Sequence, residues 1–365
     1  MENNLFKYAT KELSQDAFLR WSINWINDKN PENKNLKEYG IAMLDLLLGD
    51  NKLDEYCKVE VNEKQFERID VFIRYEDQVG KKYALIIEDK TNTFEHSNQI
   101  ERYKAVIKEK FNNPEINVAY VKTGVIYDVD YRIKEKAVVV GLTDILNLIE
   151  KYVNEESSEI LLNYYNYILG KNKEREEIKD LINNGKYSEA LEKDDGQYIF
   201  LNEIFDNRTK ETVIGNDSNN SPVYIDEIYA GTSYGDPWAQ YCFWGKAYNE
   251  QIKNIDKTQY HYLFWRIDSN RKISLRHYDE NARFEDEKVR TRKIEAYNKF
   301  RDKADDIVEH NDKILKKPRG NREKYESYKE SELLAIPVKN ISNMNFEDVK
   351  QLLLDITQSM KEVIK

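Results

Sequence analysis

Cysteine is nearly absent from this chain. Cys57 and Cys242 are the only two in 365 residues, they lie far apart, and with four histidines they form no spacing that a structural zinc site needs. Long apolar runs are missing as well. The longest candidate, IAMLDLLLG, falls well short of the roughly twenty residues a membrane span requires. The opening MENNLFKYATKEL is polar and charged, so no signal peptide is expected, and a cytoplasmic protein with reduced thiols follows. No internal repeat or low-complexity tract is present. GTSYGDPW carries two glycines and a proline but lacks the G-K-[ST] ending of a nucleotide-binding loop, so it reads as a turn. An excess of basic charge is also missing: 57 Lys and Arg face 67 Asp and Glu, a net charge of −10. Any phosphate-binding partner must therefore be met by a local basic patch rather than by the whole surface.

The length exceeds one ordinary core and predicts two domains. Helical spacing of Phe18, Trp21, Trp25 and Ile26 predicts a first helix, with Ser14 as its N-cap. A second helix is expected over 36–48, ending at Gly49. Strands follow over 56–61, 69–75 and 83–88, the last two joined by a hairpin turn in EDQVGKK. The run YALII is continuous and apolar, as in a strand buried on both faces. A helix over 97–110, strands over 118–122 and 138–140 and the helix LTDILNLIEKYV complete an α/β arrangement around a mixed sheet.

Asp70 opens the second strand in ERIDVFI, and Glu88 and Lys90 end the third in LIIEDK. Residues two apart on a strand share a face, so Glu88 and Lys90 project together and Asp89 points away. A hairpin brings Asp70 alongside them. Two hard carboxylates suit Mg²⁺ or Mn²⁺, and the ammonium suits an anionic transition state. An E-x-K triplet is also a common cross-strand ion pair, so the motif by itself supports a structural reading too.

The helix SNQIERYKAVIKEK places Gln99 and Tyr103 four apart on one face. ERIDVFI, LIIEDK and Q-IER-Y, in this order, resemble the PD-(D/E)xK nuclease superfamily, in particular its RecB-like branch with a Q-xxx-Y motif. The resemblance covers about residues 5–152, with Ile69 where the family pattern has proline. NLFKYATKELSQDAFLRWSINW is similar to the opening of uncharacterised bacterial relatives. The resemblance implies a restriction-endonuclease-like αβββαβ core and metal-dependent hydrolysis of nucleic acid, most readily DNA. It implies metal ligands Asp70 and Glu88, joined by a helical acid, Glu12 or else Asp16. It also implies a catalytic group of Asp70, Glu88, Lys90, Gln99 and Tyr103. His96, just before the helix, is a further candidate for phosphate contact.

Beyond a nuclease domain over 1–170, a charged helical connector is expected over 171–195 and an aromatic-rich α+β domain over 196–365. Tyr234, Trp238, Tyr241, Phe243, Trp244, Tyr262, Phe264 and Trp265 read first as a β-rich core and second as a base-stacking platform. The basic knot Lys316, Lys317, Arg319, Arg322 and Lys324 is the candidate for phosphate-backbone contact. The stretch 285–330 and a segment over 346–364 are expected to be helical. The expected function is a Mg²⁺-dependent nuclease, with defence against foreign DNA as its analogy-based role. The alternative is a catalytically silent nucleic-acid-binding or interaction module that keeps the fold. A second copy of the chain or a defence-system protein is the expected protein partner.

Overall fold

The computed structural model describes residues 4–8, 12–61, 65–90, 99–128, 133, 136–154, 157–206, 212–216, 222–233, 236–248, 259–268, 271–280, 287–318 and 329–363. The chain forms two compact units, Met1–Arg175 and Glu176–Lys365. The protein is mixed α/β, and among the described residues no helix is long and apolar enough to cross a membrane.

The first unit opens with α1 (Leu5–Tyr8), α2 (Glu12–Asn24) and α3 (Lys34–Leu48). In α3, Tyr39, Met43, Leu44, Leu47 and Leu48 are buried at helical spacing, and Gly49 ends the helix in a left-handed conformation (φ 57°) that suits glycine. Strands β1 (Lys58–Val61), β2 (Val71–Glu76) and β3 (Lys82–Lys90) follow, then α4 (Gln99–Lys110), β4 (Glu115–Lys122), β5 (Val138–Gly141) and α5 (Leu142–Glu150). They build a five-stranded sheet in sequence order, antiparallel from β1 to β3 and parallel from β3 to β5. β3 is central and buried along all but its first residue, which explains its unbroken apolar run.

The two faces of this sheet pack differently. Val71, Ile73, Leu85, Ile87, Ala119 and Val121 join a core with α2, α3 and α5. Phe72, Ala84, Ile86, Val118 and Tyr120 pack instead with Ile100, Tyr103 and Ile107 of α4. Helix α6 (Glu159–Asn183) runs without a break across the division between the units. Arg175, within it, donates to the Thr123 carbonyl at the end of β4 (2.9 Å). A fragment ending at Asn183 is therefore expected to fold and melt cooperatively. One ending at Asn172 loses this bond and is expected to melt several degrees lower by circular dichroism, as about 1 kcal/mol is worth a few degrees in a domain of this size.

In the second unit α7 (Tyr187–Glu192) and α8 (Gly196–Ile204) precede the hairpin β6 (Thr212–Asn216) and β7 (Pro222–Ile225). Next come β8 (Glu227–Ser233), β9 (Asp236–Tyr248), β10 (Gln259–Ile267), β11 (Lys272–Asp279), α9 (Glu287–His310), β12 (Glu330–Pro337), α10 (Val338–Ile341) and α11 (Phe346–Glu362). The larger sheet is antiparallel in the order β12-β11-β10-β9-β8. The expectation of helix throughout 285–330 needs correcting at its end. Helix α9 stops at His310, and Glu330 opens a strand that pairs with β11. Pairing with an edge, a tertiary contact, makes ESELLAIP a strand.

Candidate active site

Val71 pairs with Ile87 across the antiparallel β2–β3 ladder, and Asp70 immediately precedes it, so the ladder carries Asp70 toward Glu88. Glu88 and Lys90 continue the Ala84–Ile86 series and therefore share the sheet face that packs on α4. The ammonium of Lys90 lies 2.6 Å from Glu88 Oε1 and 3.6 Å from Asp70 Oδ2. Asp70 Oδ2 also accepts from the Asp89 backbone N–H at 3.1 Å. The Glu88 side chain is wholly buried, whereas those of Lys90 and Asp70 are 11% and 20% exposed, so the cluster opens to solvent on the Asp70 side.

Asp70 is held from both sides of the sheet. Ahead of it, Phe66 to Ile69 form a tight turn in which Ile69 N–H donates to the Phe66 carbonyl (2.9 Å). Glu67 and Arg68 both take positive φ (52° and 70°), the signature of a type I′ turn. The Tyr103 hydroxyl donates to the Arg68 carbonyl (2.8 Å) and accepts from Gln99 Nε2 (3.0 Å). From α2, Arg20 donates to the Asp70 carbonyl. The structure thus brings Gln99 and Tyr103 to the site through the turn that aims Asp70. Burial pushes the Tyr103 hydroxyl above its ordinary pKa, and the charges of Glu88 and Asp70 push the same way against the Gln99 hydrogen bond, which keeps Tyr103 a neutral donor.

This geometry gives Tyr103→Phe a definite expected outcome. Removing the hydroxyl strands the Arg68 carbonyl and loosens the turn. Stability is expected to fall by about 1 kcal/mol in urea melts. The cleavage that the resemblance implies should fall about tenfold or more through displaced Asp70. A side chain that only packs against Ile107 predicts no change in either measurement.

Asp89 faces the other side of the sheet, where it accepts from Gln15 Nε2 (2.5 Å). Thr123 Oγ1 donates to Gln15 Oε1 (2.7 Å), so this buried chain ties α2 to the ends of β3 and β4. Asp89→Asn is consequently expected to destabilise the fold. An amide N–H₂ turned toward Gln15 Nε2 meets a donor with a donor, and thermal melts are expected to show a loss of about 1–3 kcal/mol. Glu12 begins α2 but its side chain lies outside the described residues, as does His96. Asp16 is buried on α2. Among the described residues, no trio of His, Cys, Asp or Glu that includes Asp70 and Glu88 has its ligand atoms within 4.8 Å of one another.

Sequence reasoning missed Lys122. It is fully buried at the end of β4, opposite Lys90 in the parallel register, with its ammonium 4.3 Å from the centre of the Tyr127 ring. A lysine closing the run NVAYVK beside the E-x-K strand is the available signal.

The second unit bears on the other candidates. Tyr241, Phe243, Phe264 and Trp265 are buried core, and Trp265 Nε1 donates to Thr357 Oγ1 at 2.8 Å. Trp238 is partly exposed and stacks under the Arg266 guanidinium at 3.9 Å, and Tyr234 lies outside the described residues. Of the basic knot, Lys316 donates to the Asp312 carbonyl and Lys317 pairs with Glu309 at 3.0 Å, while Arg319, Arg322 and Lys324 lie outside the described residues. A cluster not foreseen from sequence lies between β10 and β11. His261, His277 and Asp279 are buried with ligand atoms mutually within 4.8 Å. Burial comes first in driving the His261 pKa down to about 3, and the charges of Arg292 and Lys246 add to it. Burial likewise pushes His277 well below its ordinary value, with His261 and the buried Lys293 adding to it. This cationic surround opposes a dication there, and the cluster reads as a polar core centred on a 3.2 Å contact between His261 Nδ1 and His277 Nε2.

Comparison with known protein families, with curated proteins and with solved structures finds no match for this chain.

Proposed function

We propose that this protein is a divalent-metal-dependent phosphodiesterase acting on nucleic acid, of the PD-(D/E)xK kind, with DNA as the favoured substrate. The observation that carries the reading is the convergence of Asp70, Glu88 and Lys90 on one sheet face, at the end of a buried central strand and open on one side. The order α3–β1–β2–β3–α4–β4 about a mixed sheet supports it, since that order is compatible with the αβββαβ core the resemblance implies. So does the bond from Tyr103, itself held by Gln99, to the turn before Asp70.

The donor set fits a hard cation. Asp70 and Glu88 offer carboxylate oxygens and would hold Mg²⁺ or Mn²⁺. Such an ion, when bound, activates water and offsets negative charge at the scissile phosphate. Asp70 is presented by its pinned turn, and Glu88 is fixed by burial. Lys90, on a strand rather than a loop, supplies a positioned cation to an anionic transition state. Foreign-DNA defence is proposed by family analogy alone.

A second reading is favoured by one observation, the 2.6 Å Lys90–Glu88 contact, in which the lysine itself neutralises the buried carboxylate. On that reading the triad is structural and the module binds without cutting. Incubation of plasmid, linear duplex DNA and RNA with Mg²⁺, Mn²⁺ or EDTA separates the two. Cleavage that needs the metal supports the nuclease. No cleavage, together with no heat of Mn²⁺ binding in calorimetry, establishes the silent module.

A further inference from the structure

Left-handed backbone positions in this chain are filled by residues that tolerate them, with one exception among the described residues. Glycine takes them at Gly49, Gly80 and Gly185, and Asn or Asp at Asn112, Asn113, Asp195 and Asp226. The exception is the turn before Asp70, where Glu67 (φ 52°) and Arg68 (φ 70°) follow one another. Turns of this type favour Asn-Gly or Asp-Gly, and two long side chains there are a standing cost in stability.

Glu67 has an internal reason to be present, because it pairs with Lys110 at the end of α4. Arg68 has none. Its side chain is exposed, and among the described residues its guanidinium makes no hydrogen bond or ion pair. Its backbone, by contrast, is fixed, since its carbonyl accepts from Tyr103. The side chain therefore leaves from a rigid point two residues before Asp70 and is open to solvent. Three nearby cations are engaged within the protein, Arg20 on the Asp70 carbonyl, Lys90 on Glu88 and Lys110 on Glu67, while Arg102, which precedes Tyr103 on α4, is exposed like Arg68 but sits in regular helix without backbone strain.

We infer that Arg68 is a nucleic-acid contact residue, which grips a backbone phosphate and sets how the strand lies across Asp70 and Glu88. This rests on the nuclease reading. A planar guanidinium matches a phosphate in a bidentate way, and a chain of net charge −10 must hold a polyanion through local cations of this kind. The backbone strain at Arg68 is then retained for a contact made outside the protein.

The test compares Arg68→Gly, Arg68→Asn and Arg68→Lys with the wild-type full chain. Fluorescence anisotropy is read on a labelled DNA duplex, the corresponding single strand and an RNA of the same sequence, in EDTA so that nothing is cut. Glycine and asparagine fit the left-handed turn and remove the charge. Both are expected to raise the melting temperature by about 2–4 °C. Both are expected to weaken binding about fivefold or more and to lower the salt slope by about 1. Arg68→Lys is expected to keep most of the affinity without the gain in melting temperature. Wild-type affinity and salt slope in both Arg68→Gly and Arg68→Asn overturn the inference. So does a melting temperature that fails to rise, since the turn is then unstrained. If the wild type binds and cleaves while both variants match it, the inference falls alone. If the wild type binds none of the probes and cleaves none of them with Mg²⁺ or Mn²⁺, the nuclease reading falls with it.

Discussion

Glu88→Gln is expected to eliminate Mn²⁺ binding at the Asp70–Glu88 pair and to reduce cleavage at least about a thousandfold, the equivalent of about 4 kcal/mol of transition-state stabilisation. A neutral amide is a poor ligand for a hard cation, and Glu88 is wholly buried at the end of β3, so no solvent-exposed group can swing in to replace it. The change also removes the nearer carboxylate from Lys90, leaving its ammonium with Asp70 at 3.6 Å. A loss of about 3 kcal/mol in metal-free stability is expected on that account. Glu101→Gln is the matched control, because Glu101 is exposed on α4 and pairs with Lys104 at 3.3 Å. Isothermal calorimetry with Mn²⁺ and single-turnover cleavage read the two effects separately. Wild-type cleavage by Glu88→Gln means the chemistry lies elsewhere.

Lys90→Met carries the second large effect, and it separates the two readings of the triad. The lysine lies against both carboxylates, so its loss leaves two negative groups facing each other in a largely buried site. In EDTA the variant is expected to lose about 3–5 kcal/mol of stability. Mn²⁺ is expected to restore much of it: at a hundred times its dissociation constant a ligand adds about 2.7 kcal/mol. The metal-induced rise in melting temperature should exceed that of the wild type, because in the variant the ion no longer competes with an ammonium. Cleavage is still expected to drop about 10²–10³-fold, as the positioned cation is gone. A structural triad predicts the same instability in EDTA but no recovery on adding Mn²⁺. Melting curves with and without the metal decide between them.

Much of the first unit was legible from pattern alone. The unbroken apolar run from Tyr83 to Ile87 marked a strand buried on both faces, and it became the centre of the sheet. The two-residue period put Glu88 and Lys90 on one face and Asp89 on the other, and the packing of Ile86 and Ile87 into separate cores shows that alternation. Helix α2 begins two residues before its expected cap at Ser14, and β2 starts one residue after Asp70. Such ends are set by local hydrogen bonds that composition does not encode. β12 was not legible, because an edge strand is defined by the neighbour it pairs with.

The sequence by itself determined the alternation that gathers Asp70, Glu88 and Lys90 and the helical spacing that aligns Gln99 with Tyr103, because both follow from fixed backbone periods. Tertiary structure decided what holds them. The tie from Tyr103 to the Arg68 carbonyl spans 35 positions, and the tie from Gln15 to Asp89 spans 74. Contacts at such separations depend on how helices settle on the two sheet faces, which no local pattern specifies. The strained pair Glu67–Arg68 belongs to the same class: its residue types argue against a left-handed turn, and the packing of α4 on the sheet, through Tyr103 and Lys110, imposes one.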